Sequence, residues 1–145
     1  MSLEEWLDYK WLIPHTTSHQ EISGLIAIVD RDIREAQLQG LSADWRLNIA
    51  HNAVLQAANA ALAASGYRAS RDSHHYRIIQ SLELTISLDS NTIDIINKLH
   101  KKRNMASYTS VDAVSEGEAD EMLRLAKDIR QRVGQWLQDN KPELL

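Results

Sequence analysis

The segment with the clearest chemical character runs from Leu99 to Tyr108 and reads Leu-His-Lys-Lys-Arg-Asn-Met-Ala-Ser-Tyr. Arg103 carries a planar donor fork that suits phosphate, and Asn104 can hold a backbone group or a base edge. His100 lies three residues before Arg103, so a helix would place the two side chains on one face. The segment therefore predicts either a site for a phosphate-bearing ligand or a basic helix end that complements exposed carbonyl groups.

The basic residues are concentrated in one part of the chain. Among 145 residues, 16 are Lys or Arg and 20 are Asp or Glu, which gives a net charge of −4. Residues 68–103 contain seven basic and four acidic residues, so this part carries +3 and the remainder carries −7. A compact basic patch suits a phosphate-bearing ligand, although a solvated helix face is the simpler explanation for Lys98, Lys101 and Lys102 alone. The overall charge argues against a protein that coats nucleic acid.

Several classes of chemistry lack the residues that they require. The chain has no Cys, which excludes disulfide scaffolds, cysteine-ligated zinc and cysteine nucleophiles. Its five glycines are scattered, so it has neither a glycine-rich phosphate loop nor a Gly-x-Ser-x-Gly elbow. His15 and His19 are four residues apart, but no carboxylate accompanies them at metal-ligand spacing. We therefore expect no metal and no cofactor.

The other histidines have structural explanations. His74 and His75 stand at the start of a predicted helix, where capping, packing or exposure outweighs a catalytic role. His51 falls in an alanine-rich segment, where the simplest explanation is a histidine in the core or in an interface with its hydrogen bonds satisfied. We also expect core packing to explain Trp45 and Trp136 as readily as a subunit interface does.

The elements that must position these residues are helices. Apolar residues recur with helical spacing from Thr17 to Gln39, with Thr17 and Gln20 as a capping box and Gly40 as the stop. A second, alanine-rich helix capped by Ser42 or Asp44 runs to about Ser65, and we expect it to be the central and best-buried helix.

The second half of the chain continues the helical pattern. Residues 73–88 fit both a helix and a strand, and the helical neighbours favour a helix that ends near Ile86. Asp89 or Ser90 then caps a helix that ends at the basic segment, and a polar loop follows. Ser115 and Glu118 form another predicted capping box, before a stripe that continues to the C-terminus, and residues 3–11 suggest a short separate helix. The prediction is an all-α, antiparallel bundle of four to five helices.

Length and hydropathy predict one domain over residues 1–145, with a core at about 17–138. No apolar run reaches the roughly 18 residues that a membrane span needs, and the first residues do not resemble a signal peptide. We therefore expect a cytoplasmic protein with no membrane partner.

Across residues 20–138 the sequence resembles the HEPN superfamily of prokaryotic helical-bundle proteins. The resemblance rests on the Ala-x-x-Ala helix that ends in Leu-Ala-Ala-Ser-Gly-Tyr-Arg at residues 62–68, on the start of a helix at His74-His75, and on the long last helix. Its most specific parts are the small-Gly-Tyr-Arg end at residues 65–68 and the pattern Leu-x-x-x-Arg-Asn-x-x-x-Tyr at residues 99–108.

The resemblance implies a homodimer in which an Arg, a polar residue and a following His from each copy meet and cleave RNA without a metal. Arg103 matches the motif arginine and Asn104 the polar position, but Tyr108, Thr109 and Ser110 occupy the places where the histidine should fall. A tyrosine, with a pKa near 10, is a poor base at neutral pH, whereas histidine exchanges protons there. His100 is a substitute one turn earlier in the chain.

We therefore expect a non-catalytic, dimeric HEPN-like protein that binds a nucleotide, an RNA or a protein partner, in a toxin–antitoxin or defence-type system. The ligand-binding residues would be Arg103, Asn104, Lys101, Lys102 and Tyr108. By analogy with related systems, the partner would be a small nucleotidyltransferase or an antitoxin.

Two alternatives remain open. One is a metal-independent endoribonuclease toxin that uses Arg103 with His100 or Tyr108. The other is a protein-interaction subunit with no nucleic-acid ligand, in which Arg103 only complements a helix end.

Overall fold

The computed structural model of the chain describes residues 1–72, 74–109 and 114–145, and at residues 74 and 104–109 it describes the backbone alone. In chain order the elements are α1 (Leu3–Asp8), β1 (Leu12–Pro14), α2 (His19–Glu35), α3 (Ala43–Ala64), β2 (Tyr67–Ala69), α4 (His74–Gln80), α5 (Leu82–Thr85), α6 (Ser90–Thr109), α7 (Glu116–Asn140) and a 3-10 turn (Pro142–Leu144). The predicted all-α class is confirmed, with one small two-stranded sheet added to it.

The first long helix begins and ends elsewhere than predicted. Ser18, not Thr17, is its N-cap, and the Ser18 hydroxyl accepts a hydrogen bond from the backbone N–H of Glu21 at 3.1 Å. The Thr17 hydroxyl donates instead to the Glu21 carboxylate at 2.6 Å. Helix α2 ends at Glu35, four residues earlier than the predicted end. The predicted capping box was therefore wrong by one residue.

Helix α3 is the central helix, as predicted. It runs from the N-cap Ser42 to the C-cap Ser65, and 14 of its 22 residues are buried. Most of these are alanines, whose small side chains allow neighbouring helices to approach closely. Gly66 follows with φ +95°, a left-handed conformation that glycine adopts at little cost.

The region from residue 74 to 86 is helical, as the helical neighbours suggested, but it is divided into α4 and α5. Ser81 lies between the two helices, and its buried hydroxyl donates to the carbonyl of Ile78 at 2.6 Å. Ile86 is the C-cap of α5, which confirms the predicted end. Helix α4 is the element that brings His75 and Tyr76 toward α6.

The caps of the last two long helices are confirmed. The Asp89 carboxylate accepts from the backbone N–H of Thr92 at 2.9 Å, and Ser115 and Glu118 form the reciprocal capping box of α7. Periodic apolar residues of α7, from Met122 to Leu137, are buried. Local sequence signals thus describe both helix starts correctly.

The two-stranded sheet was not predicted. Strands β1 and β2 pair antiparallel, with Leu12 opposite Ala69 and Pro14 opposite Tyr67. Each strand has only three residues, too short for an alternating pattern to be recognisable. The pairing attaches the N-terminal segment to the chain that leads into α4.

Side-chain pairs show how the four long helices run. Arg130 of α7 binds Asp30 of α2 at 2.7 Å, and Lys127 of α7 reaches Gln37 just after α2, so these two helices are antiparallel. Lys102 of α6 binds Glu118 of α7 across the short connection between them. The successive long helices α2, α3, α6 and α7 therefore alternate in direction around the buried α3.

Candidate functional site

Helix α6 carries the segment singled out from the sequence, but it does not end there. It extends from Ser90 to Thr109, so Arg103 lies six residues before its end. The backbone carbonyls near Arg103 accept hydrogen bonds within the helix, so Arg103 has no exposed helix-end carbonyls to complement. The prediction of a basic helix end at Arg103 was therefore wrong, because the residues that follow it continue the helix.

One turn before Arg103, His100 packs against a histidine of the central helix. The rings of His51 and His100 are stacked, with centroids 3.7 Å apart and planes only 3° apart. His51 is buried, with 4% of its surface exposed, whereas His100 is only partly buried. The stack connects the core of the bundle to the surface of α6.

A third histidine joins this pair at a pocket between three helices. His75 of α4 lies close enough to lower the pKa of both His51 and His100. The pocket has a volume of about 230 Å³, and its lining comprises His51, His75, Tyr76, Ile79, Asn97, His100 and Lys101. We call this the imidazole pocket. Its lining combines three imidazoles, an amide and an ammonium group with the Tyr76 ring and the buried, apolar Ile79.

Burial determines the charge state of the stacked rings. Burial, together with the neighbouring His100 and His75, lowers the pKa of His51 to about 3. The pKa of His100 is lowered as well, first by burial and then by His75 and Arg103. Both rings are therefore neutral at pH 7, each with one nitrogen that donates and one that accepts.

The predicted cations have three different surroundings. Lys101 is exposed and lines the imidazole pocket. Lys102 points to α7, where its ammonium binds the Glu118 carboxylate at 2.7 Å, so this lysine supports the start of α7. The guanidinium carbon of Arg103 lies 5.5 Å from the centroid of the Trp45 ring, within cation–π distance. Lys101 and Arg103 are thus the predicted cations that lie beside the pocket.

Of the two explanations left open for Trp45, core packing is wrong. Trp45 is 53% exposed near the start of α3, with the Arg103 guanidinium beside its ring. Trp136, in contrast, is partly buried and packs against the core.

Two of the predicted site residues lie outside the described side chains. The backbone of Asn104 and Tyr108 belongs to α6, and their side chains are among those that the structure does not describe. The same holds for Thr109, and Ser110 lies outside the described residues altogether. Their assignment to the site stays a prediction.

The remaining histidines have local contacts. The ring of His15 lies 2.7 Å from the Glu21 carboxylate, and Nδ1 of His19 lies 2.9 Å from the carbonyl oxygen of Leu144. Within the described part of the chain, no group of three or more His, Asp or Glu side chains is arranged to hold a metal ion.

Sequence reasoning missed the residues that complete the pocket. His51, His75 and Tyr76 lie 24 or more residues from His100, and no local spacing relates them to it. One signal was present, since His51 is a polar ring in the alanine-rich helix that the sequence predicted to be the best buried. A buried imidazole needs a polar or aromatic neighbour, and the sequence does not say which residue provides it.

Over the residues that the structure describes, no helix has both the length and the apolar character needed to cross a membrane. No curated protein and no solved structure matches the chain. A family model of the HEPN domain matches residues 25–136, which covers most of the chain and includes α3, α4, α6 and most of α7. The chain therefore belongs to the HEPN domain family.

Proposed function

We propose that this HEPN protein binds a nucleotide or RNA at the imidazole pocket and the adjoining Arg103, and that it does not cleave the bound molecule. The observation that carries the proposal is that three imidazoles and Lys101 line one pocket, with Arg103 three residues after His100 on α6. Cations supply the affinity for phosphate, and neutral rings with amide groups suit a base.

The charge distribution supports an anionic ligand at this place. Lys101 is exposed and lines the pocket, whereas Lys102 is held by Glu118. No carboxylate is among the residues that line the pocket. A phosphate on Lys101 therefore meets no negative side chain in the lining, and the neutral rings of His51 and His100 add no repulsion to a base.

The absence of cleavage is proposed from the motif. In metal-free RNA cleavage a base must take the 2′-hydroxyl proton and an acid must protonate the leaving oxygen. The positions expected for the motif histidine hold Tyr108, Thr109 and Ser110. None of these side chains is a good base at neutral pH, since the phenol has a pKa near 10 and hydroxyl groups are weaker acids still.

Fluorescence anisotropy with a labelled single-stranded RNA of roughly ten nucleotides tests the proposal. We expect binding that weakens in Lys101→Ala and in Arg103→Ala, with the salt dependence of log K reduced by about one phosphate contact in each. Arg34→Ala is the control, because Arg34 is an exposed cation in the last turn of α2. Equal affinity in all four proteins would contradict the proposal, and the RNA should remain intact on a denaturing gel.

The same variants separate the protein-interaction alternative. If the chain binds only a protein neighbour, RNA affinity will be absent at physiological salt, and a pull-down of a nucleotidyltransferase or antitoxin will be unaffected by Arg103→Ala. That result would replace nucleic acid with a protein as the ligand of this chain.

A metal-independent ribonuclease toxin is the second candidate, and the position of His100 favours it. His100 lines the imidazole pocket one helical turn before Arg103, and a neutral imidazole there can accept a proton. Arg103 lies three residues further along α6 and would stabilise the charge that develops on the phosphate. In this case cleavage persists in a chelator and is lost in both His100→Gln and Arg103→Ala, and expression arrests growth until Arg103 is replaced.

HEPN domains commonly form dimers, and we propose a homodimer for this chain too. Sedimentation at micromolar concentration checks this directly. A monomer would contradict a site shared between two copies, while leaving binding by a single imidazole pocket open to the anisotropy experiment. A toxin–antitoxin or defence role, with a nucleotidyltransferase or antitoxin as partner, is proposed only by analogy with related systems.

A further inference from the structure

Two exposed aromatic side chains border the proposed ligand site. Tyr76 is 51% exposed and Trp45 is 53% exposed. Among the described residues, only six large apolar side chains are exposed, and these are two of them: Met1, Tyr9, Leu38, Trp45, Tyr76 and Leu145. Their position distinguishes these two, because Tyr76 lines the imidazole pocket and Trp45 lies within cation–π distance of Arg103.

Tyr76 forms one edge of the imidazole pocket. Its position on α4 is supported by the next residue, Arg77, whose guanidinium carbon lies 3.5 Å from the centroid of the Trp11 ring and 5.5 Å from that of Tyr76. Arg77 therefore connects α4 to the N-terminal segment, and the neighbouring Tyr76 is part of the pocket lining. The ring is held beside the pocket and still has an open surface.

Trp45 lies at the other end of the site. The Arg103 guanidinium carbon is 5.5 Å from its ring centroid, and His100 precedes Arg103 by one turn of α6. Along α6 the site thus contains the pocket residues Asn97, His100 and Lys101 first, and the Arg103–Trp45 pair next. Cations and flat aromatic rings occur together at both ends.

Cations next to exposed aromatic rings suit nucleobases whose flat faces are not already stacked on a neighbouring base. A nucleobase stacks on an aromatic side chain whatever its sequence, while Lys and Arg bind the phosphates that join it to its neighbours. Bases inside a duplex are already stacked on each other, so they do not offer a free face. A site that recognised phosphate alone would need the cations and would gain nothing from Tyr76 or Trp45.

We propose that Tyr76 and Trp45 are base-stacking residues and that they make the site select unpaired nucleotides over duplex nucleic acid. Tyr76 stacks a base at the mouth of the imidazole pocket, where the Asn97 amide and the His100 ring can meet its edge. Trp45 stacks a second base beside Arg103. This inference rests on the proposed function, and it adds the residues that distinguish a base from a phosphate.

Binding of three labelled probes tests the inference: a single-stranded RNA of roughly ten nucleotides, the same strand in a duplex, and a sugar–phosphate strand of equal length without bases. The proteins compared are the full chain and its Tyr76→Ala, Tyr76→Phe, Trp45→Ala and Trp45→Phe variants. Leu38→Ala is the control, because Leu38 is 58% exposed and lies outside the lining of the imidazole pocket. Thermal melts establish that each variant is folded.

We expect the single strand to bind more tightly than the duplex and the base-free strand. Each alanine variant should weaken single-strand binding by about tenfold and leave the salt dependence unchanged, because stacking is lost and the cations remain. The phenylalanine variants and Leu38→Ala should stay within about twofold of the parent protein, since a ring still stacks or the site is untouched. Binding of the single strand should also quench tryptophan fluorescence less in Trp45→Phe than in the parent protein.

The outcomes separate the inference from the proposed function. If Tyr76→Ala and Trp45→Ala bind like the parent while Lys101→Ala and Arg103→Ala bind weakly, the stacking inference is wrong and the phosphate site remains. If the duplex binds as tightly as the single strand, the inference is wrong as well. If none of the four alanine variants changes the affinity, both the inference and the proposed function are wrong.

Discussion

His51 of α3 and His100 of α6 lie face to face, with ring centroids 3.7 Å apart. The two residues are 49 positions apart in the chain, and their contact joins the most buried helix to the helix that carries Arg103. Burial is the main cause that lowers the pKa of both rings; His100 and His75 lower that of His51 further, and His75 and Arg103 lower that of His100 further. Four predictions concern this pair and the contacts that support the bundle around it.

Stability should fall in mild acid because of His51. Its pKa is about 3 in the folded protein and near 6.5 in the unfolded chain, so between these values only the unfolded state binds the proton. The contribution of His51 to the free energy of unfolding is fully present above pH 6.5. Below that pH it decreases by roughly 1 kcal/mol per pH unit. Urea unfolding between pH 7 and 4.5 measures this slope.

The matched variants for this experiment are His51→Gln and His19→Gln. Glutamine at position 51 does not titrate, so we expect a smaller slope in that protein, whereas His19 is exposed and its replacement should leave the slope unchanged. A slope that is the same in His51→Gln and in the parent would show that other groups produce the acid sensitivity.

His100 should report the arrival of an anion. In the free protein its pKa lies below the ordinary value, and a bound phosphate favours the charged ring and raises that pKa. An NMR pH titration of the histidine ring protons, with and without a mononucleotide, measures the shift. No change on His100 at saturating nucleotide would place the phosphate elsewhere.

Arg46 should contribute to the stability of the bundle. It donates to the Ala36 carbonyl at the end of α2 and binds Glu116 and Asp120 of α7 at 2.7 and 2.6 Å, with 15% of its own side chain exposed. Since both carboxylates are largely exposed, we expect Arg46→Met to cost only about 1 kcal/mol in urea unfolding. Arg124→Met removes an exposed pair within α7 and should leave the midpoint unchanged. Equal midpoints for both variants would contradict the role given to Arg46.

Replacement of two glycines by alanine should change the stability of the protein in opposite directions. Gly66 has φ +95°, so Gly66→Ala should destabilise the protein by about 1 kcal/mol even though the space around it is open. Gly24 lies inside α2 with nothing within 4 Å of an added methyl group, so Gly24→Ala should stabilise it by about 0.5 to 1 kcal/mol. Thermal melts of the two variants measure both signs, and a gain in Gly66→Ala would contradict the left-handed C-terminus of α3.

Much of the fold could be predicted because helix signals are local. Ser42, Asp89 and Ser115 are the caps of their helices, and the alanine-rich α3 is the buried centre. Errors arose where neighbouring residues offer equal chemistry, as Thr17 and Ser18 do, or where a strand is only three residues long. The end of α6 was misplaced because a basic cluster resembles a helix terminus wherever it occurs.

The sequence by itself determined the helical class, the family resemblance and the segment around Arg103, since periodicity, caps and motif spacing are properties of nearby residues. Only the tertiary structure decided that His51, His75 and Tyr76 meet His100, that Lys102 faces Glu118, and that Trp45 lies exposed beside Arg103. The reason is physical. Which side chains of separate helices touch depends on the rotation and register at which those helices pack, and packing is set by the shape of the whole core.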